Sequence, residues 1–288
     1  MKKSTRILLF LVLSVFLCIG NALALEDLGT NITIWDKVTS GNPYTWYNQG
    51  QNPGEDQEVE PNCITGQVWD LEGFFLNGQY LTMVGGYDFR DGYGDWDPGD
   101  IFIDTDGNVI YGQDLDLQEG NGTIEVSNSY FGYEYAIDFY FDNEEGAYSW
   151  AAYSLTDDTL LSVYYDQNEE SNPWQIKESE EGYPGPDYIT SGNWEFVEAL
   201  SDSEVGGLSG GSHYAAQFDI AWLYEELGLG NEYQGFEYAL FHFTYECGND
   251  NLMGRDPVDP VPEPTTMLLV GAGMIGLAGL GRKKFKRG

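Results

Sequence analysis

Basic residues are scarce in this chain. Twelve lysines and arginines stand against 48 acidic residues in 288 positions. Residues 25–260 hold 47 of the acidic residues and four bases, Lys37, Arg90, Lys177 and Arg255. A field of that sign repels nucleic acid and anionic lipid and attracts cations. We therefore expect no nucleic-acid partner, whereas a purely solubilising surface and the binding of divalent cations both stay open.

The N-terminal segment, residues 1–24, is built like a secretory signal peptide. Three basic residues precede an apolar stretch over residues 7–19. The segment closes on Ala22 and Ala24, the small-x-small pattern that signal peptidase reads. We predict cleavage after Ala24 and a mature chain that begins at Leu25. An uncleaved membrane anchor is the alternative.

Cysteine is also rare. Apart from Cys18, inside the predicted signal peptide, the chain contains Cys63 and Cys247. A thiolate metal site would need further cysteine or histidine at close spacing, and the only histidines are His213 and His242. In an oxidising compartment an isolated cysteine pair most often forms a disulfide. We therefore predict a bridge between Cys63 and Cys247, with two free thiols as the alternative.

The aromatic residues argue against a disordered acidic chain. Tyr, Trp and Phe make up 15% of the sequence, whereas disordered acidic chains are poor in them. They lie in short alternating runs bounded by Gly, Asn, Asp or Pro, which is typical of strands. These predicted strands cover residues 68–76, 79–87, 133–141, 147–155, 159–166, 193–200, 213–224 and 236–247.

This spacing of strands predicts an all-β fold, a single antiparallel β-sandwich or jelly-roll-like domain over residues 25–255. The segments NEEG, TDDT and LNGQ are typical of tight hairpin turns. Helical turns are plausible only around AWLYEELG, residues 221–228, which is also compatible with a strand. A Pro/Asp linker over residues 256–261 follows the domain.

The C-terminal segment, residues 262–287, combines three elements. The tripeptide Pro262-Glu263-Pro264 comes first, in an extended stretch that a protease could grip. An apolar run of fifteen residues follows over 267–281. As a helix it would be about 22 Å long, short of the ~20 residues of a comfortable membrane span. A basic cluster over residues 282–287 then acts as a cytoplasmic stop.

In this order the three elements resemble the PEP-CTERM sorting signal. The resemblance implies processing by an exosortase, a membrane-embedded, transpeptidase-like enzyme of Gram-negative bacteria. Such an enzyme cleaves near the tripeptide and releases the protein or transfers it to a surface acceptor. The resemblance also implies a location at the cell surface or in the extracellular matrix of a bacterium that makes exopolysaccharide. Contact with the membrane would be limited to the C-terminal helix before processing. A plain single-pass anchor is the alternative.

An Asp/Gly-rich stretch over residues 87–112 is the candidate calcium site. Calcium takes six to eight oxygen ligands, and closely spaced carboxylates with glycines let the chain wrap around an ion. The spacing does not fit an EF-hand, and Asx turns could explain the same residues without an ion. Residues 100–104 are expected to form a strand. The candidate ligands are Asp95, Asp97, Asp100, Asp104 and Asp106.

Signatures of catalysis are missing from the sequence. The many acidic residues offer candidate pairs for glycoside hydrolysis but identify none. No G-x-S-x-G elbow supports a serine nucleophile. We therefore expect no enzymatic activity and no catalytic residue, with a glycan-active hydrolase as the minor alternative.

Three of the eight tryptophans lie in loop-like sequence, where their rings could bind sugars: Trp46, Trp96 and Trp174. The alternative is that most of the aromatics fill the core of the sandwich. The sequence as a whole predicts a secreted surface or matrix protein with a structural or adhesive role, stabilised by calcium. A calcium-dependent, lectin-like module that binds exopolysaccharide or other glycans is the second hypothesis.

Overall fold

The alternating aromatic runs form antiparallel sheets, which confirms the all-β, sandwich-like prediction. The computed structural model describes residues 28–34, 67–110, 122–143, 146–164, 171–177, 185–208 and 210–256. These residues contain fourteen strands: β1 Thr30–Asn31, β2 Leu71–Asn77, β3 Tyr80–Gly85, β4 Ile101–Asp104, β5 Thr123–Ser127, β6 Tyr135–Asp142, β7 Ala147–Ser154, β8 Leu160–Tyr164, β9 Gln175–Ile176, β10 Asp187–Asn193, β11 Glu195–Leu200, β12 His213–Asp219, β13 Ala239–Thr244 and β14 Asn251–Asp256.

Two large sheets pack face to face. Within the described residues, one has five strands in the order β1-β2-β3-β12-β11 and the other has six in the order β10-β7-β6-β4-β13-β14. Large aromatic side chains fill the space between them, as in other sandwiches. The Phe139 ring lies 5.0 Å from the Phe218 ring of the opposite sheet, and the Phe74 and Phe241 rings are 6.1 Å apart across the same interface.

A small third sheet, in the order β5-β8-β9, covers part of the outer face of the six-stranded sheet. Asp100 joins the two, since its Oδ2 accepts a hydrogen bond from the Ile176 amide at 2.7 Å. His242 of β13 is buried in this contact, and its Nε2 donates to the Pro173 carbonyl at 2.9 Å. Burial lowers the pKa of His242 to about 4, so the ring is neutral and serves as a structural donor.

The segment over residues 213–224 is a strand only in its first part. Strand β12 ends at Asp219, and helix α1, Ala221–Glu226, follows directly. Asp219 Oδ1 accepts from the Ala221 amide at 2.9 Å, which turns the chain at this point. Trp222 is buried after the turn. The predicted helical turns around residues 221–228 are therefore present, and extending the strand through them was wrong.

No helix in the described ranges has the length and the apolar character needed to cross a membrane. The apolar run over residues 267–281 lies outside those ranges.

Candidate metal centre

A sharp turn follows β4, and Asp104 organises it. Its Oδ1 accepts hydrogen bonds from the amides of Asp106 at 3.1 Å and Gly107 at 2.9 Å. Gly107 has a φ of +77°, in the left-handed region that glycine adopts without strain. Asp106 in turn accepts from the Asn108 amide at 3.1 Å. Asx turns therefore account for the local geometry of this stretch.

The turn also brings three carboxylates together. One oxygen each from Asp104, Asp106 and Glu134 lies within 4.8 Å of the others. Glu134 immediately precedes β6, which pairs antiparallel with β4 so that Ile103 lies opposite Tyr135. Positions 104 and 134 are therefore neighbours across the sheet. Glu134 Oε2 accepts from the Thr105 amide at 2.7 Å, which holds it beside the turn.

One of these carboxylates is buried and incompletely satisfied. Asp104 is 0% exposed, and its Oδ2 makes no hydrogen bond of normal geometry, although the Tyr238 hydroxyl lies close to the carboxylate. The hydroxyl of Tyr133, beside Glu134 in sequence, is also buried without a partner. An unsatisfied buried polar group costs roughly 1–3 kcal/mol. The Asx turn does not explain why Oδ2 is buried, because Oδ1 alone accepts the hydrogen bonds of the turn.

Burial and mutual repulsion raise the pKa values in the cluster. Burial is the main cause that raises the pKa of Glu134 to about 7, and the charges of Asp104 and Asp106 add to it. Burial likewise raises the pKa of Asp104. The pKa of Tyr238 rises to about 12 through burial and the charge of Asp104. A bound cation would relieve this repulsion.

The three residues offer only oxygen ligands. Carboxylate oxygens suit the hard cations Ca²⁺ and Mg²⁺, whereas softer metals favour His or Cys. With one oxygen from each residue, the three carboxylates fill three of the six to eight positions, so further ligands such as water would be needed. The arrangement can thus hold a hard divalent cation at the point where β4 ends and β6 begins.

The structure assembles only part of the predicted ligand set. Asp104 and Asp106 belong to the cluster, but Asp95 and Asp97 are exposed residues of the preceding loop and lie outside it. Asp100 is buried and bonded to the third sheet, and burial is the main cause that raises its pKa well above the ordinary value. The interpretation of Asp100 as a ligand is therefore corrected to a structural role.

One of the three tryptophan predictions, Trp174, also needs correction. Trp174 is only 7% exposed. Its amide donates to the Ser162 carbonyl at 3.1 Å, and its own carbonyl accepts from the Asp100 amide at 2.7 Å. It is therefore fixed between two strands and cannot present its ring to a ligand. Trp96 is partly exposed and meets the Tyr164 ring edge-on at 5.8 Å, while Trp46 lies outside the described residues.

Several predicted positions cannot be placed. Ala22, Ala24, Cys63 and the tripeptide over residues 262–264 lie outside the described ranges. Cys247 is buried in the turn after β13, and no disulfide is seen within the part of the chain that the structure describes. The bridge between Cys63 and Cys247 stays a prediction.

Glu134 was not among the predicted ligands. It is the second residue of the strand-like run over residues 133–141 and lies 30 positions from Asp104 in sequence. Nothing in the local sequence pattern shows which strand pairs with β4. The only available signal was its position at the start of a predicted strand, which many of the acidic residues share.

A second buried polar cluster was also unexpected. His213 is 0% exposed, with Nδ1 2.5 Å from Glu72 Oε2 and Nε2 3.0 Å from Asp202 Oδ1. Burial alone would lower the pKa of His213, but hydrogen bonds with Asp202 and Glu72 outweigh it and raise the pKa. The ring fixes the loop that contains Asp202 to the five-stranded sheet. It has no described nucleophile as a partner, so we interpret it as structural.

Comparison with protein families supports the sorting signal. Residues 260–283 match the family described as the PEP-CTERM protein-sorting motif. No curated protein matches the chain. No solved structure matches it either. The motif implies processing by exosortase, export, and a cell-surface or extracellular location in Gram-negative bacteria.

Proposed function

We propose that this exosortase-sorted protein is a structural or adhesive component of the cell surface or extracellular matrix, and that its folded domain is stabilised by calcium. The observation that carries the calcium proposal is the buried Asp104 carboxylate next to Asp106 and Glu134, whose Oδ2 makes no hydrogen bond of normal geometry and which has the Tyr238 hydroxyl close by. We propose no catalytic role, since binding an ion at this site requires no reacting group.

The strongly acidic composition is a second reason to expect that calcium stabilises the folded domain. Because residues 25–260 carry 47 acidic residues against four bases, the folded domain repels itself at neutral pH. An ion that binds only the folded state stabilises it by RT ln(1 + [L]/Kd), about 2.7 kcal/mol at a hundredfold excess over Kd. General screening acts differently, because it follows ionic strength and is matched by monovalent salt.

Millimolar calcium is therefore expected to raise the melting temperature of the purified protein beyond a sodium chloride control of equal ionic strength. Glu134→Gln and Asp106→Asn should each remove most of that difference, since they lower ligand charge at nearly constant size. Glu195→Gln, an exposed change in β11 of the other sheet, is the matched control and should respond like wild type. Calorimetry measures all four proteins. An equal shift in sodium chloride, or a full calcium shift in Glu134→Gln, would show that these residues form turns only.

The sorting step has its own test. We expect the mature, exported protein to lack the residues that follow the Pro262-Glu263-Pro264 tripeptide, because exosortase cleaves near it. Glu263→Ala should leave the C-terminal peptide attached and keep the protein with the membrane fraction. Mass spectrometry of the C-terminal peptides provides the measurement. Recovery of the intact C-terminus from wild-type exported protein would contradict processing.

Carbohydrate binding is the second candidate function. Trp174 does not support it, since its ring is buried, whereas Trp46 and Trp96 stay predictions. What favours it instead is a pair of exposed tyrosines on the six-stranded sheet, Tyr140 and Tyr188.

A further inference from the structure

The outer face of the six-stranded sheet is only partly covered. The third sheet lies against β4 and β13 through Asp100 and His242, and β9 reaches part of β6. On the other half, formed by β7, β10 and the part of β6 around Tyr140, large side chains point to solvent. Tyr188 is 61% exposed and Tyr140 is 54% exposed, and no large hydrophobic side chain in the described ranges is more exposed than Tyr188. We call this half of the sheet the open face.

The Tyr188 ring is largely exposed and is held by two contacts. It lies opposite Tyr153 of β7, with the two rings 6.1 Å apart and nearly perpendicular. Its hydroxyl donates to Ser191 Oγ at 3.0 Å, three residues further along the same strand. These two contacts align the ring with the strand and restrict its motion. The side chain would therefore lose less conformational entropy when a ligand binds.

Small residues lie beside Tyr140 and between the two tyrosines. Tyr140 lies opposite Ser149, and Ser149 lies opposite Asn193 on β10, so all three share the open face. Ser149 and Tyr153 are four residues apart on one strand, about 13 Å, and β6 and β10 are two strand spacings apart, about 10 Å. The diagonal from Tyr140 to Tyr188 is therefore about 16 Å, long enough for several linked sugar rings.

The chemistry of the open face favours a sugar over a protein. Protein interfaces bury a contiguous apolar centre. Here two separate rings flank hydroxyl and amide groups, the pattern that suits a chain whose units have an apolar face and a rim of hydroxyls. Asp138 lies opposite Ala151 on the same face, and the domain is strongly acidic. A polyanionic chain would be repelled.

We propose that the open face binds a neutral polysaccharide, with sugar rings stacked on Tyr140 and Tyr188 and hydroxyls bonded to Ser149 and Asn193. This inference rests on the proposed adhesive role and names its partner, but it does not require the calcium site. No described atom of the cluster at Asp104 takes part in the stacking contacts.

The test is affinity electrophoresis of the purified exported protein in gels that contain dextran, galactomannan or mixed-linkage β-glucan, with alginate as the anionic control. Each gel is run with calcium and with chelator. We expect retardation by at least one neutral polysaccharide and none by alginate. Tyr140→Ala and Tyr188→Ala should each weaken binding about tenfold, and the double variant should abolish it. Tyr80→Ala, which removes a 43% exposed ring from β3 of the other sheet, should bind like wild type.

The outcomes separate this inference from the calcium proposal. Retardation with chelator, lost in the double variant, supports the open face even if calcium has no effect on melting. A calcium-dependent rise in melting temperature with no retardation in any neutral gel would overturn the open face alone. The proposal for the open face would also be overturned if a neutral polysaccharide still retarded the double variant, or if alginate retarded the wild-type protein equally.

Discussion

Replacing Gly99 with alanine is expected to lower the free energy of unfolding by about 3 kcal/mol or more, the cost of overpacking against atoms that cannot move aside. A Cβ at this position would overlap the carbonyl oxygens of Thr244 and Trp174. Both are backbone atoms, one at the end of β13 and one beside the third sheet. Relief would therefore require the third sheet to move away from β4, which would break the bond between the Asp100 amide and the Trp174 carbonyl.

Urea denaturation measures this effect, with the slope of the free energy of unfolding against urea concentration held equal between the proteins. Gly94→Ala is the control. Gly94 has a φ of +69° but no atom within 4 Å of its Cβ position, so alanine there brings only backbone strain of about 1 kcal/mol. A loss for Gly99→Ala no larger than that for Gly94→Ala would show that the third sheet is not held tightly at this point.

Replacing His213 with alanine is expected to lower the free energy of unfolding by about 3–5 kcal/mol, the usual cost of removing one partner of a buried ion pair. Glu72 would remain buried without its main partner, with Gln67 as its remaining side-chain hydrogen-bonding neighbour. The loop that contains Asp202 would also lose its bond to the ring. Chemical denaturation at pH 7 gives the measurement, and an unchanged midpoint would show that the pair contributes nothing.

The double variant Glu72→Gln/His213→Gln is the matched control. Because it removes both charges, no buried charge is left uncompensated, and we expect it to be more stable than His213→Ala. If the two variants are equally stable, the stability lost in His213→Ala comes from packing rather than from the ion pair.

The same pair predicts how stability changes with pH. The pKa of His213 is raised in the folded state, so its contribution is complete below about 6.5 and is lost as pH rises through the folded pKa. Burial also raises the pKa of Glu72, and the stability linked to that group falls as the pH rises above its ordinary value of 4.5. The wild-type protein should therefore lose stability as the pH rises above about 6.5. The double variant should lose less over the same range, and parallel profiles would contradict this assignment.

The strands were predictable where the pattern is local. Predicted runs over residues 133–141 and 147–155 became β6 Tyr135–Asp142 and β7 Ala147–Ser154. In each strand alternate residues face the core, with Phe139 of β6 and Trp150 of β7 buried there, and each such pattern lies within one strand. Strand β10, Asp187–Asn193, was not predicted, because its small and polar residues show no apolar alternation. It forms because its backbone pairs with β7 at the edge of the sheet.

The candidate site could be predicted only in part, for the same reason. Asp104 and Asp106 are close in sequence, and the turn between them follows from their own side chains. Glu134 joins them only because β4 pairs with β6. Trp174 was expected at the surface because a proline precedes it and polar residues flank it, but the contact of the third sheet with β4 buries it.

The sequence by itself determined the acidic character, the strand-rich fold and the sorting signal, because charge, alternation and a linear C-terminal motif are read without knowing which segments meet. The tertiary structure alone decided the partners of Asp104, the ion pair of Glu72 with His213, the burial of Trp174 and the exposure of Tyr140 and Tyr188. Each of these depends on which strands pair and which face a third layer covers. That choice is made by the packing of segments distant in sequence, which no local pattern encodes.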